Sequence, residues 1–155
     1  MVIQIDTREK ARAITKILRH FDSSGVKHFS SKLPVGDYVN LDRPRLSIDR
    51  KQSLSELCQN VCQDHKRFRA ELERAKELGI HLVILCEHGG NIRCLADVMR
   101  WENPRLKISP MAMSGERLFK VLSAMANKYD TEFLFCSKNE TGKRIVELLR
   151  SPEEM

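Results

Sequence analysis

Hydrophobic positions along this chain change period several times, and each change marks a new element. Val2-Ile3-Gln4-Ile5 opens as a strand over residues 2–6, ending at Asp6. Residues 9–21 repeat apolar positions at helical spacing, with Ala13, Ile14, Ile17, Leu18 and Phe21 on one side. Gly25 breaks the pattern, and residues 26–33 return to a strand. Residues 36–40 and 45–51 then predict a hairpin closed over Leu41-Asp42-Arg43-Pro44, whose residue types favour a turn.

The next stretch carries the longest stripe. Leu54, Leu57, Cys58, Val61, Cys62, His65, Phe68, Leu72 and Ala75 recur every three or four positions, predicting one amphipathic helix that ends at Gly79. Ile80 to Cys86 is a continuous apolar run, as in a strand buried on both faces. A short helix over 91–99, an irregular basic loop over 100–113, a helix over 115–129, a buried strand over 131–136 and a helix over 140–150 complete the chain. Helices and buried strands alternating after a hairpin predict a three-layer α/β fold with a mixed central sheet. No internal repeat or Pro/Gly linker interrupts the 155 residues, so residues 1–155 are expected to form one domain.

The hairpin concentrates charge where strand geometry brings it together. Along Leu46-Ser47-Ile48-Asp49-Arg50-Lys51, Leu46 and Ile48 share one face, and Ser47, Asp49 and Lys51 share the other. A turn centred on Asp42-Arg43 pairs positions whose numbers sum to about 85 or 86. Asp37 is then level with residues 48 and 49, and opposed Cβ atoms stand only ~4.5–5.5 Å apart. Two close carboxylates repel unless a cation lies between them or one takes up a proton. Oxygen ligands of this kind suit Mg²⁺ or Mn²⁺, and a lysine beside them can steady charge on a reacting phosphate. A surface cluster of salt bridges accounts for the same pattern. The spacing alone leaves both readings open.

Composition changes the picture little. The net charge of +6 and the pI of about 9.2 are compatible with a polyanionic partner and do not require one. The charge is uneven, however. Five basic residues and one acid lie between Arg8 and His20, a second basic stretch runs from Arg100 to Lys120, and the tail after Glu147 is acidic. No apolar run reaches the length of a membrane span, and no leader segment opens the sequence, so a cytoplasmic location is expected. Five cysteines at irregular spacing agree with a reducing compartment. No phosphate-binding glycine motif is present, so no nucleotide cofactor is implied.

Taken together, Asp6-Thr7-Arg8-Glu9, Gly36-Asp37-Tyr38 and Asp49-Arg50-Lys51 resemble the nuclease signature of the XPF family of structure-specific endonucleases. That family carries D-x-R-E, then G-D, then E-R-K with a further acid a few positions on. Asp64-His65-Lys66-Arg67-Phe68 resembles the family's D-x-x-R-F stretch as well. The resemblance implies a restriction-endonuclease-like α/β/α fold and metal-dependent cleavage of branched, flapped or partly single-stranded DNA in repair or recombination. It implies that Asp37, Asp49 and the backbone carbonyl of Arg50 bind Mg²⁺ or Mn²⁺, with Asp6 at the edge of the site or as an extra ligand. Lys51 would be the catalytic lysine. Arg8 and Glu9 would orient the site or contact phosphate, and Arg50 and Arg67 are further candidates for substrate contact. Two positions depart from the pattern. Asp49 stands where the family has glutamate, and Ser55 where it has an acid, with Glu56 the nearest substitute. No helix-hairpin-helix pair follows, which fits a compact, standalone bacterial or phage-type enzyme. A catalytically weak DNA-binding module that pairs with an active partner is the alternative. Cutting both strands would require two sites, so a homodimer stays open.

Other candidates are less specific. Trp101 among Arg100, Arg105 and Lys107 fits a DNA-contacting loop, with the ring on unpaired bases and the cations on phosphates, or a solvated loop with the ring in a groove. Cys58, Cys62 and His65 have a spacing zinc can use, but they lie on an apolar stripe where free cysteines pack in the core.

Overall fold

The computed structural model describes residues 1–150; residues 151–155, which include most of the acidic tail, lie outside the described residues. Its strands are β1 (Val2–Ile5), β2 (Lys27–Ser30), β3 (Tyr38–Asn40), β4 (Leu46–Lys51), β5 (His81–Glu87) and β6 (Glu132–Cys136). They form one sheet in the order β2-β1-β3-β4-β5-β6. The central pairs β1–β3 and β3–β4 are antiparallel, and β1–β2, β4–β5 and β5–β6 are parallel. The sheet is therefore mixed, as the periodicity anticipates.

The helices are α1 (Thr15–Ser23), α2 (Leu54–Cys62), α3 (His65–Glu77), α4 (Gly115–Tyr129) and α5 (Thr141–Leu149). Ile17, Phe21, Ile145 and Leu149 of α1 and α5 pack with Ile3, Ile5, Ile48, Val83 and Leu85 on one face of the sheet. Leu54, Leu57, Phe68, Leu72, Leu118 and Leu122 of α2, α3 and α4 pack with Leu82, Ile84 and Cys86 on the other. This is the expected three-layer α/β/α arrangement. β4 is consequently covered on both sides, and Ser47, Asp49 and Arg50 are all buried. A decorated surface hairpin does not describe it.

Four elements differ from expectation, each for a local reason. The first helix begins at Thr15 rather than residue 9: residues 6–9 form a turn closed by Asp6, and the chain then leaves helical geometry at Lys10, which is extended with ψ 133°, and again at Ile14. Ala13, expected in the core, is exposed in a short 3₁₀ turn. The second strand is shorter than 26–33, leaving residues 31–35 as a strap. The long helix over 54–78 is two helices, broken at Gln63 and Asp64, where Asp64 leaves helical geometry with φ −101° and ψ 28°. The region 91–100 forms a 3₁₀ turn only over Leu95–Arg100, and a second, Pro104–Lys107, lies in the expected loop.

Candidate active site

The site is built where β3 and β4 meet the chain entering from the strap. Tyr38 pairs with Ile48 and Val39 with Ser47, which brings Asp37 level with Asp49 as the turn predicts. Gly36 makes the approach possible. Its φ is +74°, and a Cβ there would lie 2.1 Å from Ser47 Oγ. That hydroxyl donates to the Val35 carbonyl at 2.8 Å, holding the bend against β4.

Asp37 is held from three sides. Its N–H donates to the Ile48 carbonyl at 2.7 Å, its carbonyl accepts from Asp6 N–H at 2.8 Å, and its Oδ2 accepts from Arg50 N–H at 2.8 Å. Burial lifts this carboxyl well above the ordinary aspartate range, and the neighbouring Asp49 and Glu9 carboxylates lift it further. Asp49 is 6% exposed, and its Oδ2 is buried with no hydrogen-bond partner. Lys51 Nζ stands 3.1 Å from that oxygen as an ion pair, and 5.3 Å from the centre of the Phe68 ring. Burial opposes the Lys51 charge, but Asp49, backed by Glu71 and Glu56, outweighs it and raises the ammonium above the ordinary lysine range. Lys51 is a fixed cation here.

Asp6 completes the edge of the group but is fully engaged. Its Oδ1 accepts Leu33 N–H at 2.8 Å, and its Oδ2 accepts the Arg8 N–H at 3.1 Å and Arg8 Nε at 2.6 Å. Burial works against its charge, and these hydrogen bonds overcome it, leaving the carboxyl below the ordinary range. Asp6 thus acts on the site through Arg8, the strap and the Asp37 backbone.

The other face of β4 carries a second charged group. Arg50 donates through Nε to Glu9 Oε1 at 2.6 Å, through Nη2 to Glu9 Oε2 at 2.9 Å and through Nη1 to Glu87 Oε1 at 2.5 Å. Tyr38 Oη donates to Glu9 Oε1 at 2.9 Å, and Thr141 Oγ1 to Glu87 Oε2 at 2.6 Å. The Arg50 side chain is therefore not available to phosphate, which corrects that part of its expected role; its backbone stays beside Asp37. Glu9 is likewise engaged, by Arg50 and by Tyr38.

Glu56 stands near enough to help hold the Lys51 charge, and it caps α2, accepting Gln52 N–H at 2.8 Å while its own N–H donates to Ser53 Oγ at 3.0 Å. Other candidates lie apart from this group. Arg67 is exposed on α3. Trp101 is 9% exposed and packs in the core beneath α4, so its ring is no platform for bases, a second correction. Arg105 is exposed and lines a cleft of about 320 Å³ with Ser55 and Gln59, and Lys107 is exposed on the same loop.

One carboxylate at the site was not anticipated. Glu71 Oε1 accepts Gly36 N–H at 3.3 Å, and burial followed by the Asp49 charge raises its carboxyl above the ordinary range. The sequence signal for it was an acid lying between Phe68 and Leu72 on the buried stripe of α3.

The donor set suits a hard divalent cation. Asp49 Oδ2 makes no hydrogen bond of good geometry and has the Lys51 ammonium at 3.1 Å, and the Asp37 carboxyl is lifted by burial and then by Asp49, so the pair crowds more acceptor oxygens together than one lysine satisfies. Among the described residues no three His, Cys, Asp or Glu side chains are gathered around one point. Mg²⁺ and Mn²⁺ do not need a third, since they bind through one or two carboxylates and keep several waters.

Comparison with known proteins places this geometry in context. No curated protein matches the sequence. Among solved structures, the fold is similar to XPF from Aeropyrum pernix, with a TM-score of 0.69 and 22% identity over 97% of this chain and 64% of that one. XPF from Aeropyrum pernix in complex with DNA is similar too, with a TM-score of 0.67, 22% identity and coverage of 96% and 63%. The chain thus spans under two thirds of the length of these proteins, and the likeness is one of fold. The family model for the ERCC4 domain matches residues 5–148, a span that takes in Asp6, Asp37, Asp49 and Lys51. The chain belongs to the ERCC4 domain family.

Proposed function

We propose that this protein is a divalent-metal-dependent endonuclease that hydrolyses phosphodiester bonds of DNA containing branches, flaps or unpaired strands, in repair or recombination. The observation that carries the proposal is the buried Asp37–Asp49 pair with the Lys51 ammonium 3.1 Å from Asp49 Oδ2. Membership of the ERCC4 domain family supports it, as does the likeness in fold to an XPF protein in complex with DNA.

Asp37, Asp49 and the Arg50 carbonyl would hold Mg²⁺ or Mn²⁺, which when bound polarises the phosphate and lowers the pKa of an attacking water. The protein's own contribution is positional and electrostatic. The Gly36 bend and the Arg50 N–H fix the Asp37 carboxylate before any substrate arrives. Lys51, kept charged by Asp49, orients the attacking water or steadies charge developing on the phosphate oxygens. The phenyl ring of Phe68 and the buried setting of Lys51 restrict water around that ammonium, which strengthens its field at the phosphate. Asp6 keeps Arg8 at the mouth of the site, where its side chain is 66% exposed and free to meet DNA.

Cleavage of labelled single-stranded, duplex, flap and forked DNA, with Mn²⁺, Mg²⁺ or EDTA, tests the proposal against the Asp49→Ala variant. Cutting that requires metal and disappears in the variant supports it. Cutting insensitive to both would come from a contaminant, and binding without cutting would instead identify a DNA-binding module. The loss of the acid at Ser55 and the engagement of Glu56 in a helix cap favour that second reading.

A further inference from the structure

Next to the carboxylate pair the surface opens into a cleft of about 650 Å³ lined by Asp6, Arg8, Lys32, Leu33, Pro34 and Arg74. Its walls come from the turn after β1, the strap that follows β2, and α3. They are fastened to one another. Gln4 Nε2 donates to the Ser31 and Lys32 carbonyls at 3.4 and 3.3 Å, Leu33 N–H to Asp6 Oδ1 at 2.8 Å, and Arg74 Nη1 to the Pro34 carbonyl at 3.4 Å. The cleft is thus a built surface. Its one lining carboxylate, Asp6, is 1% exposed and already neutralised by Arg8 and the Leu33 N–H. Arg8, Lys32 and Arg74 are exposed, so the lining is cationic around the exposed ring of Pro34, which is backed by the buried Leu33.

We infer that this cleft holds the unpaired DNA strand flanking the point of cleavage, with successive phosphates on Arg8, Lys32 and Arg74 and a sugar or base against Pro34. The inference rests on the nuclease proposal. A cleft of this volume accommodates a small-molecule-sized group such as a nucleotide or two. Cations beside an apolar ring match a strand that offers phosphates and exposed base or sugar faces together. The Asp6 N–H donates to the Asp37 carbonyl at 2.8 Å, so the cleft wall is one hydrogen bond from the residue that would hold the metal. Neither Lys32 nor Arg74 belongs to the D-x-R-E, G-D or D-R-K segments.

Binding measured by fluorescence anisotropy in EDTA, where nothing is cut, tests this for single-stranded DNA, blunt duplex and single-stranded RNA. The variants are Lys32→Glu, confined to an exposed side chain, and Lys32→Ala/Arg74→Gln, with thermal melting as a check on folding. Neutralising two phosphate contacts should weaken single-strand binding on the order of tenfold at moderate salt, and flatten the log K against log salt slope by about 1.4. Lys32→Glu should weaken it as well, and duplex binding should change less in both variants. Folded variants with wild-type affinity and slope would overturn the assignment. So would an equal loss on duplex, which would mark diffuse surface charge, or an equal loss on RNA, which would remove the preference for DNA. If the wild type binds no DNA of any form, the nuclease proposal falls together with the cleft; if it binds and the variants match it, only the cleft falls.

Discussion

Arg50 and Asp37 are joined through the backbone while their charges are kept apart. The Arg50 N–H donates to Asp37 Oδ2 at 2.8 Å, and the Arg50 guanidinium lies on the opposite face of the sheet between Glu9 and Glu87. The residue that positions a carboxylate in one layer is therefore itself positioned from another. A buried ion pair beneath a site stabilises less by its own attraction than it fixes a geometry, because removing one partner strands the rest.

Replacing Arg50 by methionine should accordingly lower stability by about 3–5 kcal/mol, since Glu9 and Glu87 are left buried and unpaired. Arg50→Lys should recover only part of this, because an ammonium cannot reproduce the forked contact to Glu9. Urea unfolding of the three proteins measures it, and equal midpoints for wild type and methionine variant would refute it.

Gly36→Ala combines a positive φ with a Cβ placed 2.1 Å from Ser47 Oγ. Strain at such a backbone position alone is worth about 1–3 kcal/mol. The variant should lose at least that much stability, and Mn²⁺ should bind it more weakly, because the bend sets the separation of Asp37 from β4. Calorimetric titration with Mn²⁺ would reveal whether the two effects travel together.

The two aspartates of the site should have opposite pH signatures in metal-free protein. The Asp37 carboxyl is raised, so its contribution to stability is complete below the ordinary aspartate pKa and is lost as pH rises through its folded value. The Asp6 carboxyl is lowered, so its contribution is present above the ordinary pKa and is lost as pH falls through its folded value. At neutral pH, Asp37→Asn should stabilise the metal-free protein and Asp6→Asn should destabilise it. Unfolding midpoints across the acid range check both signs, and parallel curves for Asp37→Asn and wild type would contradict the first.

Mn²⁺ should raise the melting temperature of wild type and leave Asp49→Ala unmoved. A ligand present at one hundred times its Kd stabilises by about 2.7 kcal/mol, a shift that thermal melting detects easily. An equal rise in both proteins would place the ion elsewhere.

Glu71→Gln keeps an acceptor for the Gly36 N–H and removes a buried charge. It should fold at least as stably as wild type without metal, whereas Glu71→Ala, which orphans that N–H, should lose about 1–3 kcal/mol. Similar losses in both variants would mean that the charge, rather than the hydrogen bond, holds α3 against the bend.

The sequence carried the layers and the hairpin register because both follow from the side-chain periods of helix and strand. The Asp37–Asp49 juxtaposition followed from turn length and alternation alone. The partners that complete the site were hidden for physical reasons. Glu71 arrives from a helix through tertiary packing, at a separation no local period encodes. Arg50 looked available because it stands between two charged residues, Asp49 and Lys51, and only the covering of both sheet faces shows that its guanidinium is enclosed. The helix expected from residue 9 starts late because the backbone is extended at Lys10, a local conformation that the apolar spacing does not encode. Trp101 sits in a basic segment whose charge fits a ring on bases and a ring in a groove alike, and only the packing against α4 distinguishes them.

The alternation along β4 has one more consequence. Most strands hold their register because a slip would expose an apolar face. On β4 each face carries ions matched to fixed partners: Asp49 and Lys51 toward α2 and α3, Arg50 toward Glu9 and Glu87. A shift by one residue would set Arg50 among the leucines of α2 and α3 and drive Asp49 into the carboxylates that clasp Arg50. Misaligned forms of the hairpin are thereby penalised by charge, so the same side chains that equip the strand for chemistry also act as its proofreaders during folding.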